Sequence, residues 1–234
     1  MNIFEREKLT LSTDSPETLA KLANDKDWSV RHAVAGSHHT SVELLKQLAE
    51  DHNKLVRGAV AMNPLTSAEI LAKLANDESV YVRIAVLANP CVCPETLAEM
   101  AKDQSKIIRA GVAKHANTSM KVLEKLSVDE DFIVRCHVAE NPHTSPEILS
   151  DMAKDCEDMV RLTVARHPGS PQEIFADLAK DQFYRVRLGV AKNPSVSSEI
   201  VESLTYDSET CVRLAAEYSL SRKQAENESA EMSM

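Results

Sequence analysis

Aspartate and arginine residues recur through this chain in a fixed relation, with each Arg six positions after its Asp. Guanidinium groups repeated in this way could form a cationic track for an anionic ligand, or they could form charge-assisted hydrogen bonds to the carboxylates within or between neighbouring repeats. We favour the pairing, because charges that are buried in proteins are normally partnered. The predicted structural ladder comprises Asp25, Arg31, Asp51, Arg57, Asp77, Arg83, Asp103, Arg109, Asp129, Arg135, Asp155, Arg161, Asp181, Arg187, Asp207 and Arg213.

One group of cysteine and histidine residues is the part of the sequence that most resembles a metal-binding motif. Cys91 and Cys93 are followed one repeat later by His115 in the adjoining loop, and three such ligands can hold zinc. Cys-x-Cys is a loose spacing without an evident fourth ligand. We therefore predict no metal site and no cofactor, and it stays open whether this group ever binds a metal. The pair Cys136 and His137 does not predict a nucleophile and its base, because adjacent helical residues point in different directions.

Glutamates near the predicted helix starts could supply paired carboxylates for acid-base catalysis, but helix capping accounts for them. The sequence has no HExxH motif, no phosphate loop and no dinucleotide-binding glycine fingerprint. It contains only five Gly residues, which does not favour a phosphate cradle. We predict that the chain is not an enzyme and has no catalytic residues.

The elements that position these residues repeat at a constant interval of 26 residues, from Arg31 to Arg213. Self-similarity at 20 to 50 residues is typical of solenoids, in which one small unit is stacked on its copies. Within each copy, apolar residues recur at i, i+3 and i+4 in two short segments. One copy therefore predicts two short helices, here called the first and the second helix. Their apolar faces become buried only when neighbouring copies stack.

The first helix of each repeat is predicted to start at a Thr, Ser or Asp that has Glu three residues later, which is the capping-box spacing. These pairs are Asp14 and Glu17, Thr40 and Glu43, Thr66 and Glu69, Thr144 and Glu147, and Ser170 and Glu173.

The second helix is predicted to start at a polar N-cap, as at Asp27, Asn53, Ser79, Ser105 and Asp131. An Asn-Pro pair is predicted to end it, because Asn tolerates a left-handed cap and Pro cannot continue a helix. Small residues beside the apolar face predict closely approaching helix backbones.

The fold class that follows is all-α, a right-handed α-α superhelix (solenoid) of eight 26-residue two-helix repeats. We predict an N-terminal cap over residues 1–12 and a single array of eight helical repeats over residues 13–220. A helix extension and a disordered polar C-terminal tail are predicted over residues 221–234.

Composition narrows the classes of partner. Lys plus Arg number 27 against 36 Asp plus Glu, a net charge of -9, which does not favour a nucleic-acid backbone as ligand. No signal peptide and no apolar run long enough to span a membrane is recognisable. The odd number of Cys, five, at different places in the repeat does not suit a disulfide ladder. We predict a cytoplasmic protein with reduced thiols, no nucleic-acid partner and no membrane partner.

The phrase LAxD-x4-VRxxVAxNP-xTSPE, seen around Val82 and Arg83, resembles the repeat of the leucine-rich repeat variant family over nearly the whole chain. Its Asp-x5-Arg spacing and paired helices also resemble HEAT-like repeats, including those of phycobilin lyases. The resemblance implies an all-helical right-handed superhelix. It also implies a binding scaffold or, in a few HEAT-like relatives, a lyase or DNA-repair enzyme. The founding type of the variant family is associated with an iron-sulfur cluster held by an N-terminal Cys group. No Cys precedes Cys91 here, so the resemblance does not extend to the cluster.

One face of the second helix varies between copies at positions i, i+4 and i+8, opposite the predicted core. In a solenoid of helix pairs the second helices would line the concave side, so this face predicts a groove with aromatic anchors and mixed charge. We predict a non-enzymatic scaffold that binds a protein or peptide there. A cofactor- or metal-handling accessory protein or a lyase-type enzyme is the alternative. The oligomeric state does not follow from the sequence. The predicted partner contacts are Trp28, Lys54, Lys106, Phe132, Arg166 and Tyr184.

Overall fold

The computed structural model describes residues 2–231, except for the side chains of Leu11 and of residues 227–231. Within the described residues all regular secondary structure is helical, and none of it is β-strand. Contacts between Cα atoms divide the chain into two compact units, unit 1 (Met1–Ser119) and unit 2 (Met120–Met234). The predicted all-α class is confirmed.

Unit 1 contains a leading helix and then four helix pairs. Its helices are α1 (Ile3–Ser12), α2 (Pro16–Leu22), α3 (Trp28–Gly36), α4 (Val42–Leu48), α5 (Lys54–Met62), α6 (Ala68–Leu74), α7 (Val80–Leu87), α8 (Pro94–Met100) and α9 (Lys106–Lys114).

Unit 2 contains four further helix pairs, and a short 3₁₀ turn (Leu204–Tyr206) precedes its last helix. Its helices are α10 (Met120–Leu126), α11 (Phe132–Glu140), α12 (Pro146–Met152), α13 (Asp158–Arg166), α14 (Gln172–Leu178), α15 (Tyr184–Lys192), α16 (Ser198–Ser203) and α17 (Thr210–Glu231).

In both units the second helices pack against one another in chain order. α1, α3, α5, α7 and α9 form this row in unit 1, and α11, α13, α15 and α17 form it in unit 2. Each first helix packs on the second helix that follows it. The Val or Ile before each ladder Arg is fully buried in this row, as Val56 and Val160 are. The helical-repeat architecture is thus confirmed, and its core lies between helix pairs that individually have too little apolar surface to fold.

The first helices start one residue later than predicted. Their N-caps are Ser residues such as Ser41, Ser67 and Ser145, whose hydroxyls accept the N–H three residues on. Thr66 and Thr144, predicted as caps, are buried, and each hydroxyl donates to a carbonyl at the end of the preceding second helix at 2.5 Å. The predicted Thr-Glu capping boxes are therefore wrong. A buried hydroxyl needs a partner, and the free carbonyls at a helix end supply it.

The second helices start at the predicted N-caps. Asp27, Asn53 and Asp131 each accept the N–H two residues on. Their ends differ from the prediction, because Asn63 has φ -69° and ψ 127° and no described residue, glycines included, has a positive φ. The predicted left-handed Asn cap is wrong. The chain leaves the helix in an extended conformation, and the Asn side chain is occupied by contacts with the preceding repeat.

Small residues let neighbouring second helices approach closely, as predicted. A Cβ atom added at Gly189 would lie 3.0 Å from Leu162 Cδ1 and 3.2 Å from Ala165 Cβ. A Cβ atom at Gly58 would collide with the Tyr81 ring. In both units glycine in a second helix makes room for a side chain of a neighbouring second helix.

The helix extension at the C-terminus is longer than predicted, because α17 continues to Glu231. The segment predicted to hold the helix extension and the disordered tail, residues 221–234, is helical throughout its described part, up to Glu231. Helix-forming Gln, Ala and Glu residues continue the helix, and Arg222 pairs with Glu226 one turn later at 3.0 Å. The rest of the predicted tail, residues 232–234, lies outside the described residues.

Candidate functional site

The ladder residues pair between neighbouring repeats in unit 1. Arg57 donates from Nε to Asp77 Oδ2 at 2.6 Å and from Nη2 to Asp77 Oδ1 at 2.9 Å, while its Nη1 donates to the backbone carbonyl of Asp51 at 2.8 Å. Arg31 and Arg83 repeat this arrangement on the next Asp along the chain. Each guanidinium therefore joins its own inter-helix turn to the next.

Unit 2 has the same Arg–Asp pairs between neighbouring repeats, and each such pair is called a rung of the ladder. Arg135, Arg161 and Arg187 reach the Asp of the following repeat with Nε–Oδ2 distances of 2.6 Å. Arg213, in α17, donates to the Asp207 carbonyl at 2.7 Å. The Asp–Arg spacing of six residues therefore corresponds to a guanidinium–carbonyl bond. In Arg31, Arg57, Arg83, Arg135, Arg161 and Arg187 the carboxylate bonded by the guanidinium lies 20 residues further on.

Asp25, the first ladder residue, pairs with an Arg outside the ladder, whereas Arg109 and Asp129 make the same backbone contacts as the other ladder residues. In unit 1, Asp25 accepts Arg6 of α1, with an Nε–Oδ2 distance of 2.7 Å, so the leading helix supplies the guanidinium that a preceding repeat would supply. Arg109 donates to the Asp103 carbonyl at 3.0 Å. In unit 2, Asp129 accepts the backbone N–H of Asp131 at 2.9 Å.

Asp77 and Asp181 show how hydrogen bonds favour the ionised form of a ladder carboxylate. Burial by itself would raise the pKa of Asp77, but hydrogen bonds from the Arg57 guanidinium and from the Ser79 backbone N–H bring it below its ordinary value of 3.8. Asp181 in unit 2 has its pKa lowered in the same way, against the effect of burial, by Arg161 and the Phe183 N–H. The ladder charges therefore neutralise one another, and the ladder is not an open cationic track.

A second set of polar side chains ties successive repeats together at the other end of the second helices. Buried Asn63 donates from Nδ2 to the carbonyls of Ala35 and Ser37 at 2.7 and 2.9 Å. In unit 2, His167 stands at the Asn position, and burial lowers the pKa of its imidazole, opposed by a hydrogen bond to the Asn141 backbone. These groups are structural, because they satisfy carbonyls that helix ends leave without partners.

The predicted partner contacts lie mostly at one end of the second helices. In unit 1, Trp28, Lys54 and Lys106 are the first residues of α3, α5 and α9, and all three are exposed. Trp28 is 42% exposed, and its ring meets the His32 ring edge to face with centroids 6.3 Å apart.

In unit 2, Phe132 and Tyr184 are the first residues of α11 and α15, 40% and 39% exposed. Arg166 is exposed but is the last residue of α13. It therefore lies at the opposite end of its helix, about 12 Å from the first residue at 1.5 Å per residue. The structure places Arg166 apart from Phe132 and Tyr184.

The middle of the predicted variable face is packed. Gly58 and Ala110 in unit 1 and Leu162 in unit 2 are buried, although the repeat pattern had placed this face opposite the core. The Tyr81 ring lies over Gly58, and Leu162 lies beside Gly189. Neighbouring second helices cover each other at this position, where His32, Cys136 and Leu188 are half-buried, so the helix ends are the more exposed part of the variable face.

Exposed apolar residues also occupy the second position of the second helices, which the sequence reasoning missed. They are Tyr81 and Ile107 in unit 1 and Ile133 and Met159 in unit 2. The signal was present, because an apolar residue directly precedes the Val/Ile-Arg pair in these repeats. The pattern of one buried face assigns only the Val or Ile of this pair of apolar residues to the core. The apolar residue before it was therefore not assigned to any surface. Phe183, the N-cap of α15, is exposed too, and the Arg161 guanidinium lies 5.6 Å from its ring centroid.

Comparison with known proteins identifies the repeat. No protein-family model and no curated protein matches the chain. A solved structure described as a leucine-rich repeat variant with a novel repetitive structural motif shares 30% of its residues, with a TM-score of 0.70. The alignment covers 88% of this chain and 82% of that one. The chain belongs to the leucine-rich repeat variant family. The resemblance seen in the repeat phrase is thus confirmed.

Two further structural neighbours of this leucine-rich repeat variant show lower identity. The Escherichia coli protein YibA is 19% identical with a TM-score of 0.50, and the alignment covers 94% of this chain and 95% of YibA. This likeness shows the fold alone. An archaeal HEAT-like repeat protein from Thermococcus onnurineus aligns over 94% of this chain and 96% of its own at 14% identity, with a TM-score of only 0.25.

The cysteines of this leucine-rich repeat variant do not form a recognisable centre. Cys91 is exposed, and Cys93 Sγ lies 3.1 Å from Thr96 Oγ1. Among the described residues, which include His115, no three His, Cys, Asp or Glu side chains are grouped to hold a metal ion. Burial raises the pKa of the Cys136 thiol, a change that disfavours the nucleophilic thiolate.

The partner of His137 is Glu140, with Nδ1 and Oε2 2.9 Å apart. The imidazole is thus engaged within its own helix, on a carboxylate one turn further on. Over residues 2–231, no helix is both long and apolar enough to cross a membrane.

Proposed function

We propose that this leucine-rich repeat variant is a non-enzymatic cytoplasmic scaffold that binds a protein or peptide partner at the N-terminal ends of its second helices. The observation that carries the proposal is the recurrence of exposed apolar side chains at the first two positions of these helices in both units. Solvent-exposed apolar residues that line up on a rigid frame are typical of interaction surfaces. Binding at the helix ends replaces the groove of the sequence-based prediction, because the middle of the variable face is packed.

In unit 1 this surface combines aromatic and cationic groups. Trp28 and Tyr81 supply large apolar areas with polar edges, and Ile107 is more than half exposed at 58%. Lys54 and Lys106 stand at the same helical position as Trp28. Aromatic side chains of this kind dominate the energetics of many interfaces.

In unit 2 the surface is apolar with acidic neighbours. Met159, Phe183 and Tyr184 are exposed, and the exposed carboxylate of Glu157 and the half-buried one of Asp158 come just before Met159. This combination suits a partner segment with apolar and basic side chains. The rungs behind it are already paired, so the frame does not need to rearrange on binding.

The proposal is tested by affinity capture of partners with the wild-type protein and with a Trp28→Ala, Phe132→Ala, Tyr184→Ala variant. We expect the variant to lose a wild-type interactor, with the affinity of the purified pair falling at least tenfold, since aromatic anchors contribute most of the binding energy. Melting curves should stay close to wild type, because each of the three side chains is partly exposed.

A matched control replaces three exposed apolar residues that lie elsewhere, Leu65→Ala, Val42→Ala and Met120→Ala. Leu65 lies in the loop that follows α5, and Val42 and Met120 are the first residues of first helices. This control variant should retain the interactor. If both variants lose it equally, or neither does, the second-helix ends are not the binding surface.

A further inference from the structure

The row of second helices in unit 1 begins with α1, and the row in unit 2 ends with α17. α1 packs on α2 and α3, and α17 packs on α15, α16 and the 3₁₀ turn. The opposite side of each of these two helices, here called its outer side, is where a further second helix would pack. Terminal repeats of solenoids usually have a polar outer face, which keeps them soluble. In this chain both outer sides carry large apolar side chains.

The outer side of α17 is identified by the contacts of the regular repeats. A Cβ atom added at Gly189 of α15 would lie within 4 Å of three residues of the preceding second helix, α13. These residues are Leu162, Ala165 and Arg166. Their counterparts two repeats later, in α17, are Leu214, Glu217 and Tyr218. These three residues of α17 therefore face the position of a next second helix.

The outer side of α17 is uncovered. Leu162, which α15 covers, is 5% exposed, whereas Leu214 is 60% and Tyr218 67% exposed. The Tyr218 side chain also borders a cleft of about 310 Å³ between α17 and the end of α15. Glu217 is exposed and forms no ion pair with any described residue. α17 thus presents two apolar side chains and a carboxylate.

The Arg–Asp pairs give the register of α1. Arg6 binds Asp25, as a ladder residue such as Arg31 binds the Asp of the following repeat, so Arg6 takes the position of a ladder Arg. Thr10 then corresponds to Ala35, and both side chains are fully buried. This agreement in burial indicates that α1 packs on α3 as one second helix packs on the next.

The outer side of α1 follows from this register. Phe4 corresponds to Tyr81, whose ring lies over Gly58 of the preceding second helix. Lys8 corresponds to Gly189, which also faces the preceding second helix. Phe4 is 73% exposed. Lys8 is exposed too, and its ammonium group pairs with no carboxylate of the described residues.

The two outer sides are complementary in the register of the regular repeats. A ring at the Phe4 position covers the residue one place after the ladder Arg of the preceding helix, which in α17 is Leu214. A side chain at the Lys8 position reaches the residue four places after that Arg, which is Glu217. One apolar contact and one pair of opposite charges therefore coincide, and burial of the exposed apolar surface favours the contact.

We propose that a second copy of this chain docks on α17, with the outer side of its α1 packed against the outer side of α17. Phe4 of one molecule covers Leu214 of the other, and Lys8 of the first pairs with Glu217 of the second. The contact continues the row of second helices from one molecule to the next. It is heterologous, because two different surfaces meet, so each molecule can bind one neighbour through α1 and another through α17.

Sedimentation equilibrium of the full-length protein tests for this association. Because a single helix-on-helix contact is small, we expect a weak interaction, with the average mass rising above that of one chain between about 1 and 500 µM. Lys8→Glu and Glu217→Lys should each weaken it about tenfold through like-charge repulsion, and the variant with both changes should regain most of the wild-type affinity. A mass of one chain over the whole range, or no recovery in the double variant, would overturn the proposal.

Two variants that are each blocked at one surface test the heterologous geometry. Phe4→Asp leaves the α17 surface intact, and Leu214→Asp leaves the α1 surface intact. Each should stay monomeric alone, and their mixture should form a complex of one molecule of each and nothing larger. Both side chains are mostly exposed, so circular dichroism should show both variants folded. Self-association of either variant alone, or a monomeric mixture, would contradict the assignment.

A matched control is Val128→Asp, which places the same charge on an exposed apolar residue in the loop between α10 and α11. It should associate as the wild type does. The Trp28→Ala, Phe132→Ala, Tyr184→Ala variant should also associate normally, because none of its substitutions lies in α1 or α17. Loss of association in this variant would place the contact at the N-terminal ends of the second helices and refute the docking of α1 on α17.

Discussion

Unit 1 and unit 2 share a frame but differ in charge. Both have the bidentate Arg–Asp rungs, the buried polar groups at helix ends and the row of packed second helices. Residues 1–119 have 14 Lys plus Arg against 15 Asp plus Glu, whereas residues 120–234 have 13 against 21. The excess acidity therefore lies outside the paired frame. Because the frame is the same in both, we expect the units to respond alike when it is damaged and differently when surface charge is screened.

The largest expected effect is acid unfolding of both units. Folding lowers the pKa of Asp51 and Asp77 in unit 1 and of Asp155 and Asp181 in unit 2 below 3.8. The stabilisation is therefore complete above pH 3.8 and is lost as the pH falls through the lower folded-state values. Hydrogen exchange and circular dichroism between pH 7 and about pH 2 measure it. A helical content unchanged at the lowest pH would contradict this expectation.

Breaking one rung in each unit should have the next largest effect. Arg57→Ala leaves the Asp77 carboxylate without its guanidinium, and Arg161→Ala does the same to Asp181. We expect each to lower the free energy of unfolding of its own unit by about 3 kcal/mol, since both partners are largely buried. Hydrogen exchange should locate the loss in that unit.

The control for the broken rungs is Lys46→Ala. It removes an exposed pair with Glu69 at 3.3 Å and should change the free energy of unfolding by less than about 1 kcal/mol. If the rung variants were no less stable than this control, the ladder would not contribute to the stability of the frame.

Salt should change the stability of the two units by different amounts. Raising the ionic strength screens repulsion between like charges, and unit 2 has the larger excess of acidic residues. We expect the free energy of opening of unit 2 to rise by about 1 kcal/mol relative to unit 1, measured by hydrogen exchange at low and high NaCl concentration. Equal responses of the two units would show that the surface carboxylates do not repel one another appreciably.

The smallest effects concern two glycines in second helices. A Cβ atom at Gly36 in unit 1 meets nothing within 4 Å, so Gly36→Ala should stabilise the protein by about 0.5 kcal/mol through helix propensity. Gly189→Ala in unit 2 should destabilise it by a similar amount, because its Cβ atom would press on Leu162 and Ala165. Thermal melting of both variants checks the opposite signs, and shifts of the same sign would contradict this account of the close approach.

Residues with a local role were predictable, whereas residues with a role between repeats were not. Asp27 and Asn53 cap the helices that follow them, because the backbone N–H groups that donate to their side chains lie only two residues further along the chain. Thr66 has the same type of side chain as a cap, yet it is buried and bonds the Val60 carbonyl instead. Local spacing identifies which groups are polar, but burial decides which partner each of them takes.

In the candidate binding surface, too, the features that depend on one helix were predictable and those that depend on packing between helices were not. Trp28, Phe132 and Tyr184 were predicted as exposed anchors from their variable column, and the structure leaves all three partly exposed. Their separation from Arg166 follows from helix length. The packing of Gly58 under Tyr81 depends on how far apart two neighbouring helices lie. The spacing of the repeats along the sequence does not predict that distance.

The sequence by itself determined the all-α repeat, its period of 26 residues and the residues of the ladder, because each of these depends on spacing along one chain. Tertiary structure decided that an Arg such as Arg57 or Arg161 bonds the carboxylate of the following repeat, that the buried Asn residues join neighbouring repeats and that a cleft remains beside α17. These contacts connect atoms 20 or more residues apart, and only the packing of one helix pair on the next brings such atoms within hydrogen-bonding distance.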